Sequence, residues 1–229
     1  MCDSARGHTG KRLQRQGTRK TSRGSSRRKR AGSENSHLVI HVSGAPGSGK
    51  TTLGRKFKQK FGNRITVKDI DDLRQQFMES FYHGKSFTTF NNDAYQRYVD
   101  GFVKANKSKP VIFVGLNKMP FSSGDVFFNM HPKYKYFIDL DDETILKQKC
   151  KRALRQAAAK RELEGLIRDN AEYIGFWTDI ISRDCNLAEM KKQNDTWRRD
   201  YAHQGYKLMS PEVIERAVCT KLNAHLAKM

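Results

Sequence analysis

The chain alternates between short apolar runs and longer amphipathic stretches. Leu38, Val39, Ile40 and Val42 form a β-branched run that predicts a strand, and Val111-Ile112-Phe113-Val114 is a continuous apolar run suited to a strand buried on both faces. Ile65 to Val67, Tyr134 to Leu140 and Tyr206 to Met209 supply three more candidate strands. Between them the period becomes helical. Leu53, Phe57 and Phe61 recur every four residues from Thr51 to Phe61, and Gly62-Asn63 ends that helix. Asp72 to about Ala105 reads as helical with a break near Gly84-Lys85-Ser86. Asp141-Asp142-Glu143-Thr144 opens a helix from Glu143 to about Arg161, and Ser210-Pro211-Glu212 caps a last one. Strands alternating with helices predict an α/β fold.

The stretch from about 72 to 106 is dense in aromatic residues, Phe77, Phe81, Tyr82, Phe87, Phe90, Tyr95, Tyr98 and Phe102 among them. Most suit core and helix–helix packing; a few can stack on a base or cover an acceptor, with Arg74, Arg97 and Lys104 near for charge. Trp177 and Trp197 read as packing residues. The segment from about 152 to 180 has the composition of a lid, which an ordinary helical pair would share.

Charge divides the chain. Its 229 residues carry a formal +20, and residues 1–36 hold 11 Lys/Arg against 2 acids, a density of +9 that leaves +11 on the remainder. Residues 1–36 lack aromatics and predict a disordered basic tail, with residues 37–229 as one folded domain. Arg27-Arg28-Lys29-Arg30 suits a nuclear localisation signal or a nucleic-acid arm, or a solvated tail without a dedicated partner. Cys2, Cys150, Cys185 and Cys219 show no ligand spacing and read as reduced thiols. No apolar run approaches the ~18–20 residues of a membrane span, which predicts an intracellular protein, cytoplasmic or nuclear, without a membrane partner.

Candidate chemistry begins where the first strand ends. Gly44-Ala45-Pro46-Gly47-Ser48-Gly49-Lys50-Thr51 fits G-x-x-x-x-G-K-[ST], the Walker A phosphate loop, between a predicted strand and a predicted helix, with Thr52 next. The glycines let successive backbone N–H groups turn toward an anion at the helix start. Lys50 can then reach the β- and γ-phosphates of ATP, and the Thr51 hydroxyl can ligate Mg²⁺. Asp69 and Asp71 follow the second strand, where ligands of open α/β sheets bind. One can assist the metal while the other orients an acceptor hydroxyl; Asp72 reads as a helix cap or first-turn acid, and all can be no more than cap and turn residues. The third strand does not finish in an acid, so these carboxylates must do more. Arg152 and Arg155, three apart on a helix, can face a transferring phosphate.

The order strand, G-x-x-x-x-G-K-T, helix, strand, D-x-D-x-L resembles the small P-loop kinases, among them gluconate, shikimate and adenylate kinases. Gly44 to Thr51 matches their loop, and Asp69-Ile70-Asp71-Asp72-Leu73 is similar to their D-G-D-x-L and D-S-D segments. The resemblance implies a P-loop NTPase three-layer sandwich with a five-stranded parallel sheet, order 2-3-1-4-5, and an arginine-bearing lid. It also implies that Asp69 assists Mg²⁺ and that Asp71 contacts the acceptor hydroxyl. Asn117-Lys118-Met119-Pro120 matches no acceptor sequence of those enzymes. The expected activity is ATP- and Mg²⁺-dependent phosphoryl transfer to a small hydroxyl- or phosphate-bearing acceptor, a nucleoside or nucleotide foremost. A polynucleotide 5′-hydroxyl kinase, consistent with the charge, and a nucleotide-binding regulatory ATPase are the alternatives.

Overall fold

The computed structural model describes residues 37–83, 90–121, 124–163 and 186–229. The tail, most of the lid-like segment, Phe87 and Trp177 lie outside them. Five strands form one all-parallel sheet: β1 (Val39–Gly44), β2 (Thr66–Asp69), β3 (Val111–Val114), β6 (Tyr134–Ile138) and β7 (Lys207–Met209). A separate antiparallel hairpin, β4 (Lys118–Phe121) with β5 (Gly124–Phe127), interrupts the strand–helix alternation.

The sheet order is β2-β3-β1-β6-β7. It differs from the expected 2-3-1-4-5 numbering because the hairpin, which the patterning did not predict, occupies the fourth and fifth places along the chain. Its strands are four residues each, and Pro120 with Lys118 breaks the apolar alternation that would have marked them. Only the five parallel strands enter the sheet, so the fourth and fifth of those are β6 and β7.

Helices cover both faces, making three layers. On one side lie α1 (Lys50–Phe61) and the C-terminal α6 (Pro211–Leu226). They bury Leu53 and Phe57, Ile214 and Leu222 against Ile40, Val42, Ile112 and Ile138. On the other lie α2 (Ile70–Phe81) and α3 (Asn92–Ala105). There Phe77, which is 1% exposed, is surrounded by Phe81, Tyr82, Phe90, Tyr95 and Tyr98 at centroid distances of 5.0–6.0 Å. The aromatic stretch is therefore a packed cluster between two helices and the sheet.

Two further helices complete the described fold, α4 (Asp142–Leu163) and α5 (Leu187–His203). Arg198 on α5 reaches Asp139 at 2.8 Å, Asp142 at 3.0 Å and the Leu140 carbonyl at 2.6 Å. It thereby fixes the start of α4 against the end of β6. Cys219 is a buried free thiol, but Cys150 on α4 is disulfide-bonded, which corrects the reading of four reduced cysteines. Spacing along the chain carries no record of which thiols the fold brings together. Among the described residues no helix is long and apolar enough to cross a membrane.

Candidate active site at the carboxyl end of the sheet

The loop between β1 and α1 turns on glycines that no other residue replaces without strain. Gly47 and Gly49 both have φ near 88°, and a Cβ on Gly44 would stand 2.5 Å from the Ser48 hydroxyl oxygen. The tight turn is closed by Ser48 N–H donating to the Ala45 carbonyl at 3.0 Å. Ser48 Oγ is buried without a hydrogen-bond partner. Lys50 folds back over the loop, its ammonium donating to the Gly44 and Ala45 carbonyls at 2.8 Å each. Burial pushes its pKa down to about 8; Asp71 and Asp69 pull it back up, and Arg152 pushes it further down.

Asp69 ends β2 and caps α2 in one step. Its Oδ1 accepts the backbone N–H of Asp71 at 3.0 Å, and its Oδ2 accepts the Thr51 hydroxyl at 3.1 Å. The strand therefore stops at Asp69, and Asp71 projects from the first helical turn rather than from an extended strand. Asp72 is a first-turn acid beside it. Asp71 is paired with Arg74 at 3.2 Å, and Arg74 also donates to the Leu116 carbonyl at 3.2 Å.

These elements enclose a cavity of about 490 Å³. Lys50, Thr51, Thr52, Asp69, Asp71, Arg152 and Arg155 all line it, with Pro46, Gly47 and Gly49. Gly44, Ala45 and Ser48 sit behind this lining, in the turn itself. Arg55 and Gln148 also line the cavity and were not foreseen. Their signal was helical spacing: Arg55 lies four residues after Thr51, and Gln148, Arg152 and Arg155 share one face of α4. The cavity thus gathers four cationic side chains against two carboxylates, and it suits an anionic ligand.

Gly115 and Leu116, directly after β3, form another part of the cavity wall. Each residue here is held from a different direction. Buried His41 of β1 bonds the Gly115 carbonyl through Nε2 at 3.0 Å, and Asn117 donates to the Phe128 carbonyl at 2.7 Å while accepting from Tyr201 at 3.0 Å. Lys118 reaches Asp125 at 2.5 Å and Asp200 at 2.6 Å, with its ammonium 5.1 Å from the Trp197 ring centroid. Because a carbonyl only accepts, His41 carries its proton on Nε2, and Nδ1 accepts from the Tyr206 hydroxyl at 2.5 Å. Burial pushes the His41 pKa down to about 4. Asn117 and Lys118 therefore anchor the wall from behind and do not enter the cavity.

No family model matches this sequence, and no curated protein sequence does. Among solved structures, the chain is similar to APE1195 at 20% identity, TM-score 0.32, over 61% of this chain and 76% of that one. It is also similar to an uncharacterized protein from Eubacterium ventriosum at 13% identity, TM-score 0.38, over 82% of this chain and 99% of that one.

Proposed function

We propose that the chain is a P-loop phosphotransferase that takes ATP with Mg²⁺ and phosphorylates a small hydroxyl- or phosphate-bearing acceptor, a nucleoside or nucleotide foremost. The observation that carries this reading is the convergence of Lys50, Thr51, Asp69, Asp71, Arg152 and Arg155 on one cavity at the carboxyl end of the sheet. A second carboxylate and two arginines beside the loop suit acceptor orientation and charge stabilisation during transfer.

The residues fit both groups. The positive-φ glycines Gly47 and Gly49, both in the cavity lining, would let backbone N–H groups turn toward phosphate oxygens. Thr51 and Asp69 place two hard oxygen donors 3.1 Å apart, and among the described residues no cluster of three metal-ligating side chains exists. Two protein oxygens, with substrate phosphates and water, are the donor set Mg²⁺ takes in such sites. Bound there, the metal would neutralise charge on the transferring phosphate.

The chain's own groups divide the remaining work. Lys50 exchanges the two loop carbonyls for phosphate oxygens, and that contact raises its pKa and fixes the positive form. Arg152 and Arg155 approach from α4 and meet the charge spread over the phosphoryl oxygens. Asp71, held by Arg74 at 3.2 Å, would orient the attacking hydroxyl.

A 5′-hydroxyl polynucleotide end is the second reading, favoured by the exposed Arg55 in the cavity lining and by the +11 charge of residues 37–229. Incubation with γ-labelled ATP and a panel of nucleosides, nucleotides, sugars and 5′-hydroxyl oligonucleotides tests both. Label moving to a nucleoside or nucleotide supports the first, and label on oligonucleotide ends the second. ATP hydrolysis indifferent to every acceptor would contradict phosphotransfer.

A further inference from the structure

In an all-parallel sheet every strand begins at one end, so the end opposite the phosphate loop is a defined surface. It is strongly basic. Lys133 and Lys135 flank Tyr134 at the start of β6, Lys207 opens β7, and Lys221 and Lys228 come from the last turns of α6 and just beyond it. Among the described residues Lys135, Lys207, Lys221 and Lys228 have no carboxylate partner. His225 and His37 stand with them, and the surrounding positive charge adds to burial in depressing the His225 pKa.

The cations are interleaved with aromatic rings. The Lys221 ammonium lies 5.0 Å from the Tyr134 ring centroid, and Lys135 lies 5.6 Å from that of Tyr206 while donating to the Gln204 carbonyl at 3.0 Å. A cleft of about 260 Å³ opens between Lys133, Lys135 and Lys207, with Tyr134 partly exposed at its wall. Ammonium groups gathered on one surface repel one another, and a single monophosphate, with at most two negative charges, leaves most of that charge uncompensated. A chain of phosphates spaced along the surface can meet all of them.

We propose that this strand-start end is a docking surface for single-stranded nucleic acid, its phosphodiester backbone tracked by the lysines and a base or sugar taken into the tyrosine-walled cleft. The inference stands apart from the phosphotransferase reading, since none of its residues lines the cavity at the phosphate loop. A membrane surface fits less well: the cleft is concave, and the large apolar side chains exposed among the described residues are only Leu187 and Met229.

The test is fluorescence anisotropy of the full chain with a labelled twelve-nucleotide single strand over a series of salt concentrations. Lys207 and Lys221 are both exposed, so Lys207→Glu with Lys221→Glu leaves the fold alone. The expected result is an affinity loss of roughly thirtyfold at 0.1 M salt and a log–log salt slope shallower by about 1.4, or about 0.7 for each phosphate no longer neutralised. Lys147→Glu with Lys151→Glu, the same charge change on the exposed side of α4, should cost less than threefold. Equal losses in the two double variants would make the effect one of net charge and overturn the proposal. Displacement of the strand by Mg·ATP would place it at the phosphate loop and overturn it too. Binding of phosphatidylserine vesicles but not of the strand would assign the surface to membranes instead.

Discussion

The two faces of β1 do opposite jobs. Ile40 and Val42 point into a dry aliphatic layer with α1 and α6, whereas His41 and Ser43, equally buried, point into a layer where polar groups run from the sheet to the loop at Gly115–Lys118. On the first face a substitution removes volume. On the second it strands a hydrogen-bond partner and loosens the wall of the candidate site. Stability and site geometry should therefore separate according to which face is altered.

The largest expected effect is on the dry face. Ile40→Ala, at a fully buried position, should lower unfolding free energy by about 4 kcal/mol in urea titrations, with ATP affinity of the folded fraction unchanged. A matching loss of affinity would break the distinction between the faces.

On the polar face the expected effect depends on pH. The folded His41 pKa is depressed to about 4 against about 6.5 unfolded, so its neutral form contributes fully above pH 6.5 and that contribution is lost as pH falls toward 4. The gap of about 2.5 units corresponds to about 3 kcal/mol. His41→Phe lacks this term, so the stability difference between wild type and variant should shrink by about that amount from pH 6.5 to 4. A difference that is flat with pH would contradict the buried neutral imidazole.

Asn117→Leu leaves the Phe128 carbonyl and the Tyr201 hydroxyl unpaired and should cost about 2 kcal/mol. Unlike Ile40→Ala, it should also weaken acceptor binding, read as a higher KM with little change in kcat. The smallest effect is on the loop itself. With Lys50 near pKa 8, ATP affinity should fall by up to tenfold per pH unit once the pH passes that value, and calorimetric titrations from pH 7 to 9.5 would show it.

The same contrast marks what the sequence disclosed. Apolar runs and four-residue spacing revealed β1, β3 and α1 because a dry face needs nothing but hydrophobic side chains at the right period, and the cap at Ser210-Pro211-Glu212 marked α6. The loop from Gly44 to Thr51 was legible because its glycines answer a local backbone demand. Asp69 and Asp71 were placed near it, but the geometry by which Asp69 caps α2 and still faces Thr51 depends on where the strand stops. The polar layer was not legible. Met190, Asn194, Trp197 and Tyr201 form a stripe on α5 at helical spacing, and Asn194 within it hid the period. Lys118, buried among Asp125, Asp200 and Trp197, reads in one dimension as a surface lysine.

The most direct measurement is acceptor-dependent ADP formation from Mg·ATP by wild type and by Lys50→Ala, each checked for a native fold. The account predicts a rate that rises when the cognate acceptor is added and falls by about 10³ in the variant, about 4 kcal/mol of transition-state stabilisation. A rate that persists in Lys50→Ala, or that ignores every acceptor, would contradict it.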